Sequence, residues 1–194
     1  MIALESNPRV FELLSLNSRL MNNVMPLKMA ASDRAGEMRL SFAPGNWGGG
    51  HLLPVSEQNP EAVAVGASRL HDLPEISSLH IDLMKIDVEG HELSVLKGAA
   101  GVLARCRPVV LFEQQPGDIS DASSATIDWL RAHGYDRFYE VRSFPSLPRN
   151  WTFTGRKWIN ALMRLFLGES KRVVPIVQFK NCFLVHCGNS MTTC

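Results

Sequence analysis

Short apolar runs alternate along the chain with segments whose apolar residues recur at helical spacing. The clearest runs, residues 83–88 and 109–113, are continuous and therefore typical of strands in a parallel sheet covered on both faces. Between them, Leu93, Leu96 and Ala100 have the spacing of one helix face. Because strands and helices alternate in this way, the pattern predicts an α/β fold with a mostly parallel sheet and helices on both faces.

Weaker patterns of the same kinds predict the remaining elements. Residues 1–5 form an apolar run that ends in Glu5 and reads as a strand. Asn7 followed by Pro8 is typical of a helix cap and a first helical position, and this helix is predicted to end near Met21. The other predicted strands are residues 24–30, 38–42, 62–67, 135–141 and 179–186, and the other predicted helix is residues 124–133.

Length and composition agree with a globular protein of one domain over residues 1–194, because 45% of the residues are hydrophobic and 20% are charged. An insertion is predicted near residues 142–175, proline-rich at first and helical from residue 156 to 167. The net charge of +1 gives no general attraction for nucleic acid or anionic membranes. The four cysteines have neither CxxC pairs nor zinc-ligand spacing, which predicts reduced thiols in a cytoplasmic protein.

The most informative stretch is residues 85–92, Lys-Ile-Asp-Val-Glu-Gly-His-Glu. The strand before it ends in Asp87, and ligands of open parallel sheets bind at the carboxyl ends of strands, so Asp87 is predicted to face a ligand. His91 is a candidate general base because imidazole titrates near neutral pH, and capping of the following helix is the alternative. Asp87, Glu89 and His91 could instead bind a divalent metal, although residues this close at one junction rarely converge.

These residues resemble the signature of the FkbM-type family of S-adenosylmethionine-dependent methyltransferases. Weaker likenesses follow in the family's order at residues 2–9, 30–36, 46–49, 108–113 and 181–185. The resemblance implies a class I methyltransferase-like, Rossmann-like fold with S-adenosylmethionine as cofactor. It also implies O-methyl transfer to a hydroxyl of a sugar, a polyketide or a lipid-linked sugar, and it does not imply a metal.

The resemblance also implies roles for single residues. Glu5 would accept hydrogen bonds from the two ribose hydroxyls, and a solvated carboxylate near a helix start is the alternative. Ala31 and Ser32 would lie beside the adenine through their backbone groups. Asp87 would face the methyl-donor pocket, or cap a turn. Glu113 ends a very apolar strand, where an unpaired carboxylate is costly, so it either pairs with a basic group or meets the substrate.

Members of the family begin with a strand and a glycine-rich turn that approaches the cofactor, whereas this chain begins at the counterpart of their second strand. We therefore expect an N-terminally truncated version of the fold. Residues 1–194 alone should bind S-adenosylmethionine weakly. They should also be destabilised, unless the counterparts of the family's second and fourth strands, residues 1–5 and 83–88, pair directly and close the gap in the sheet. A non-catalytic fragment or interaction module is the alternative function, and a dinucleotide oxidoreductase is disfavoured because no GxGxxG motif occurs.

The segment at residues 156–167 is basic and amphipathic. Packing on the sheet or against the acceptor is the favoured interpretation of such a segment. The alternative is that it lies on a membrane surface, which would suit a lipid-linked acceptor.

Overall fold

The computed structural model of the protein describes residues 1–42, 50–53, 59, 61–114, 123–142, 172–175 and 182–186. Within these ranges the strands are β1 (Ile2–Leu4), β2 (Met25–Leu27), β3 (Ala30–Ala31), β4 (Gly36–Ser41), β5 (His51–Leu53), β6 (Val63–Ser68), β7 (Leu83–Ile86), β8 (Val109–Glu113), β9 (Arg137–Arg142), β10 (Arg172–Pro175) and β11 (Cys182–His186). The helices are α1 (Pro8–Ser18), α2 (Pro74–Ser77), α3 (Glu92–Gly98), α4 (Ala100–Cys106) and α5 (Ala125–Ala132).

The described strands form three sheets. The largest has the order β10-β9-β11-β8-β7, the second has the order β3-β6-β4-β5, and β1 pairs with β2. Pairing is parallel between β1 and β2, β3 and β6, and β7 and β8, whereas the remaining pairs are antiparallel. The predicted α/β class, with parallel strands and helices, is confirmed. Within the described residues the pairing is mixed rather than mostly parallel, because three strand pairs are parallel and five are antiparallel. The parallel pairs are the ones whose carboxyl ends carry the candidate site residues.

The predicted single strand at residues 24–30 is wrong, because the chain there forms two strands that enter different sheets. Met29 N–H donates to the Leu27 carbonyl at 3.1 Å, and this tight turn separates β2 from β3. Strands β1 and β7 are the counterparts of the family's second and fourth strands, and they do not pair within the described residues. Among the described strands, β7 lies at the edge of its sheet. The expected loss of stability stays a prediction.

Helices α3, α4 and α5 share one hydrophobic core with β7 and β8. Its most deeply buried side chains include Leu96, Leu103, Val110, Phe112, Ile127 and Leu130. Each such side chain stabilises the fold by about 1.5–3 kcal/mol. The carboxyl ends of β7 and β8 are therefore fixed by a well-packed hydrophobic core. Among the residues that the structure describes, no helix has the length and apolar character needed to cross a bilayer.

Helix α1 begins as predicted, since the Asn7 side chain accepts a hydrogen bond from Arg9 N–H at 3.0 Å and Pro8 is its first residue. The predicted last strands are confirmed as β9 and β11. Strand β10 pairs with β9 and was missed, because it falls inside the predicted insertion. The helix predicted at residues 156–167 lies outside the described residues, so the insertion stays a prediction.

Candidate functional site

The carboxyl end of β3 meets the turn after β7 through a side-chain hydrogen bond. Ser32 directly follows β3 and is fully buried, and its N–H donates to the Ser68 carbonyl at 2.9 Å. The Ser32 Oγ lies 3.0 Å from His91 Nε2 and 3.2 Å from Asp33 Oδ1. Two predicted site residues that are 59 positions apart, Ser32 and His91, are therefore in direct contact.

Helix α3 approaches this point so closely that it requires a glycine. A Cβ atom on Gly98 would lie 1.8 Å from the carbonyl oxygen of Ser32 and 2.7 Å from its carbonyl carbon. Real Cβ atoms do not approach backbone atoms to such distances. The end of β3 and helix α3 therefore form one tightly packed unit, with His91 at the start of the helix.

The turn between β7 and α3 has a strained backbone. Both Glu89 (φ 47°) and Gly90 (φ 91°) have left-handed conformations, which cost a non-glycine residue roughly 1 kcal/mol or more. The turn is held by the Glu92 side chain, which is buried and accepts from Gly90 N–H at 3.1 Å. Because β7 ends at Ile86 and the turn follows, Asp87 and Glu89 lie outside the strand.

Asp87 and Glu113 are neighbours at the carboxyl edge of the sheet. The parallel register of β7 and β8 pairs Ile86 with Phe112, so the next residue of each strand is the acidic one. Lys85 Nζ lies 2.7 Å from Asp87 Oδ2, and this ion pair is partly exposed. The negative charge of Asp87 acts on the Glu113 carboxyl group.

The two carboxyl groups differ in their affinity for a proton. The hydrogen bond from Lys85, above all, lowers the pKa of Asp87 below its usual value. Loss of hydration and then the negative charge of Asp87 raise the pKa of Glu113. Asp87 is therefore the member that stays ionised, and Glu113 is the stronger proton acceptor of the pair.

A buried glutamine supports this edge of the sheet and was missed by sequence reasoning. Gln114 follows Glu113, and its Oε1 accepts a hydrogen bond from Ser124 Oγ at 2.8 Å. Ser124 also caps helix α5 by accepting from Ile127 N–H at 3.2 Å. The signal was the serine at the start of the helix predicted at residues 124–133, but nothing in the sequence indicated its second partner.

Glu5 lies at the end of β1, as predicted, and makes local contacts. Its Oε1 accepts from Asn7 N–H at 2.7 Å, and its own N–H donates to the Leu27 carbonyl at 3.1 Å. Among the described contacts, Glu5 bonds neither to the pair Ser32 and His91 nor to the pair Asp87 and Glu113. Ala31 is half-buried and pairs with Ser68 in the parallel ladder of β3 and β6. Their cofactor roles stay predictions.

The alternative metal site is not assembled. Among the described residues, no group of three or more His, Cys, Asp or Glu side chains could hold a metal ion. The His91 ring instead contacts Ser32, and burial of the ring lowers its pKa below the usual range.

Comparison with known proteins identifies the family. A family model described as the methyltransferase FkbM domain matches residues 1–137, which is more than half of the chain. The hexuronic acid methyltransferase AglP of Haloferax volcanii is 31% identical over 110 residues, which cover 56% of this chain and 45% of AglP. The chain therefore spans less than half the length of that relative.

A solved structure is also similar. The crystal structure of methyltransferase FkbM from Methylobacillus flagellatus KT aligns with 95% of this chain and 36% of its own, at 11% identity and a TM-score of 0.43. Since the matched family domain contains β1 to β8 and both groups of site residues, the chain belongs to the FkbM methyltransferase family.

Proposed function

We propose that the protein transfers a methyl group from S-adenosylmethionine to a hydroxyl of a sugar-type acceptor. The observation that carries this proposal is the pair Asp87 and Glu113, which ends two parallel strands inside the matched domain. We infer the sugar-type acceptor from the relative AglP, which is named as a hexuronic acid methyltransferase. Hydroxyls of polyketides and of lipid-linked sugars are the other acceptors of the same chemical kind.

The residues at the strand ends fit this donor. The Glu5 carboxylate is oriented by Asn7 N–H through one oxygen, and its remaining lone pairs suit the two hydroxyl donors of a ribose. The backbone at Ala31 and Ser32 would lie beside the adenine. The negative charge of Asp87 suits a sulfonium. When bound, S-adenosylmethionine supplies an electrophilic methyl group.

We propose Glu113, rather than His91, as the proton acceptor. Glu113 would take up the hydroxyl proton of the acceptor, while the bound donor would supply the methyl group and leave as S-adenosylhomocysteine. The pKa of Glu113 is raised, which suits a base, and the negative charge of Asp87 contributes to this raised pKa. The Nε2 of His91 is already engaged with Ser32, so this nitrogen is not free to accept the proton.

The proposal is tested by incubating the full-length protein with S-adenosylmethionine and a panel of hexuronic acid glycosides, neutral sugars and polyketide alcohols. We expect S-adenosylhomocysteine to form in proportion to a sugar acceptor. Absence of both donor binding and turnover across the panel would instead favour the non-catalytic module. Turnover with polyketide alcohols alone would refute the sugar-type acceptor.

Replacing Glu5 by glutamine is expected to weaken S-adenosylmethionine binding at least about tenfold, because charge-assisted hydrogen bonds are worth roughly 1.5–3 kcal/mol each. Glutamine can still accept from Asn7 N–H, so the local turn is preserved. Calorimetric titration of the full-length protein measures the change. Glu12→Gln, on an exposed face of α1, is the matched control, and equal affinity of both variants would return Glu5 to a solvated surface role.

A further inference from the structure

Two hydrogen bonds link His91, Ser32 and Asp33 into a chain. The Ser32 hydroxyl donates to Asp33 Oδ1, and an ionised carboxylate can only accept. When the hydroxyl gives its one proton to Asp33, its oxygen accepts from His91 Nε2, which lies 3.0 Å away. In this arrangement the neutral imidazole of His91 has its proton on Nε2.

This hydrogen bond joins two segments that are otherwise separate in the chain. Ser32 is also held through its backbone, by Ser68 on one side and by the close approach of Gly98 on the other. His91 is held by its own N–H, which donates to the Val88 carbonyl at 3.3 Å. A shift of the His91 ring would therefore be transmitted to the turn that follows Asp87.

We propose that His91 is a positioning residue, which holds the backbone of residues 31–33 against the turn after β7 so that this backbone can receive the adenine of the methyl donor. The inference rests on the proposed function, because the donor supplies the adenine. The role differs from proton transfer, since the nitrogen that faces Ser32 carries a proton already and donates it to the hydroxyl.

The pH dependence of this contact has a definite sign. Burial lowers the pKa of His91, the charge of Asp33 opposes this effect and the charge of Arg34 adds to it. The unfolded chain therefore takes up a proton at a higher pH than the folded one. His91 thus contributes full stability above about pH 6.5, the ordinary histidine pKa, and this contribution is lost as the pH falls from there towards the folded pKa.

The first measurement is nitrogen NMR of labelled histidines in the full-length protein. We expect the Nε2–H tautomer and a lowered pKa at His91, and a changed Nε2 chemical shift in Ser32→Ala. A His91 ring protonated on Nδ1 instead, or unchanged by Ser32→Ala, would overturn the proposal, because the hydrogen bond would then not exist in solution.

The second measurement is calorimetric titration with S-adenosylmethionine and with adenosine. His91→Ala is expected to weaken both about tenfold, the effect of losing one hydrogen bond of about 1.4 kcal/mol. His91→Gln should recover most of the loss because its amide N–H can reach Ser32. His80→Ala, at an exposed histidine, is the matched control.

The outcomes separate this inference from the proposed function. If the unaltered protein binds S-adenosylmethionine and His91→Ala binds it equally well, the positioning role is wrong and the proposed function stands. If the unaltered protein binds neither S-adenosylmethionine nor adenosine, both are wrong. Equal weakening by Ser32→Ala and His91→Ala, with no further loss in the double variant, supports a single shared contact.

Discussion

Replacing Gly98 by alanine is expected to lower the free energy of unfolding by about 3 kcal/mol, at the upper end of the usual cost of overpacking. The added methyl carbon would lie 1.8 Å from a backbone oxygen of Ser32, and backbone cannot move aside as a flexible side chain can. Alanine normally favours a helix over glycine by up to about 1 kcal/mol, so the clash must overcome that gain. Denaturant unfolding monitored by circular dichroism measures the difference.

The chain offers a matched control for this variant. At Gly66, in β6, a Cβ atom would meet nothing within 4 Å, so Gly66→Ala should leave stability nearly unchanged. If Gly98→Ala unfolds at the same denaturant concentration as Gly66→Ala, the close packing of α3 on Ser32 does not exist in solution. The positioning role of His91 would then lose its structural basis as well.

Replacing Glu113 by glutamine is expected to lower kcat by about a hundredfold or more, the usual range for loss of a general base. The amide keeps the size of the side chain but cannot take up the hydroxyl proton. S-Adenosylmethionine affinity should remain within about twofold, because the contacts proposed for the donor are made by other residues. Turnover with the best sugar acceptor, together with calorimetry, measures the two effects separately.

The pH profile gives an independent check on Glu113. Since a protonated carboxyl cannot accept a proton, kcat should fall as the pH falls through the raised pKa of Glu113. Asp87→Asn removes the negative charge that contributes to this raised pKa, so the acidic limb should move to lower pH. Glu75→Gln, at an exposed carboxylate of α2, is the control. Full activity of Glu113→Gln would remove this residue from the proposed chemistry.

Local patterns were sufficient for several elements of the fold. The apolar run before Asp87 and the glycine after it predicted β7 and its turn, and Asn7 with Pro8 predicted the start of α1. These features depend on neighbours in sequence, which a local pattern contains. The prediction of one strand at residues 24–30 was wrong because apolar spacing does not show which sheet a strand joins. Here the two halves of the run join different sheets.

The contacts within the candidate site could not be predicted in the same way. Ser32 and His91 were each identified, but their hydrogen bond depends on how β3 packs against α3. The left-handed backbone at Glu89 was unexpected because non-glycine residues rarely adopt it. Gln114 was missed since its partner, Ser124, comes from a different element. Each of these contacts joins segments whose proximity is set by tertiary packing.

The most direct test of the account follows a ¹³C-labelled methyl group from S-adenosylmethionine to a hexuronic acid glycoside in the full-length protein. A hexuronic acid has both hydroxyl and carboxylate oxygens, and only the hydroxyl must give up a proton to a base at neutral pH. We predict an alkali-stable methyl ether on a sugar hydroxyl, formed at a rate that depends on Glu113. An alkali-labile methyl ester, or no labelled product, would contradict the account.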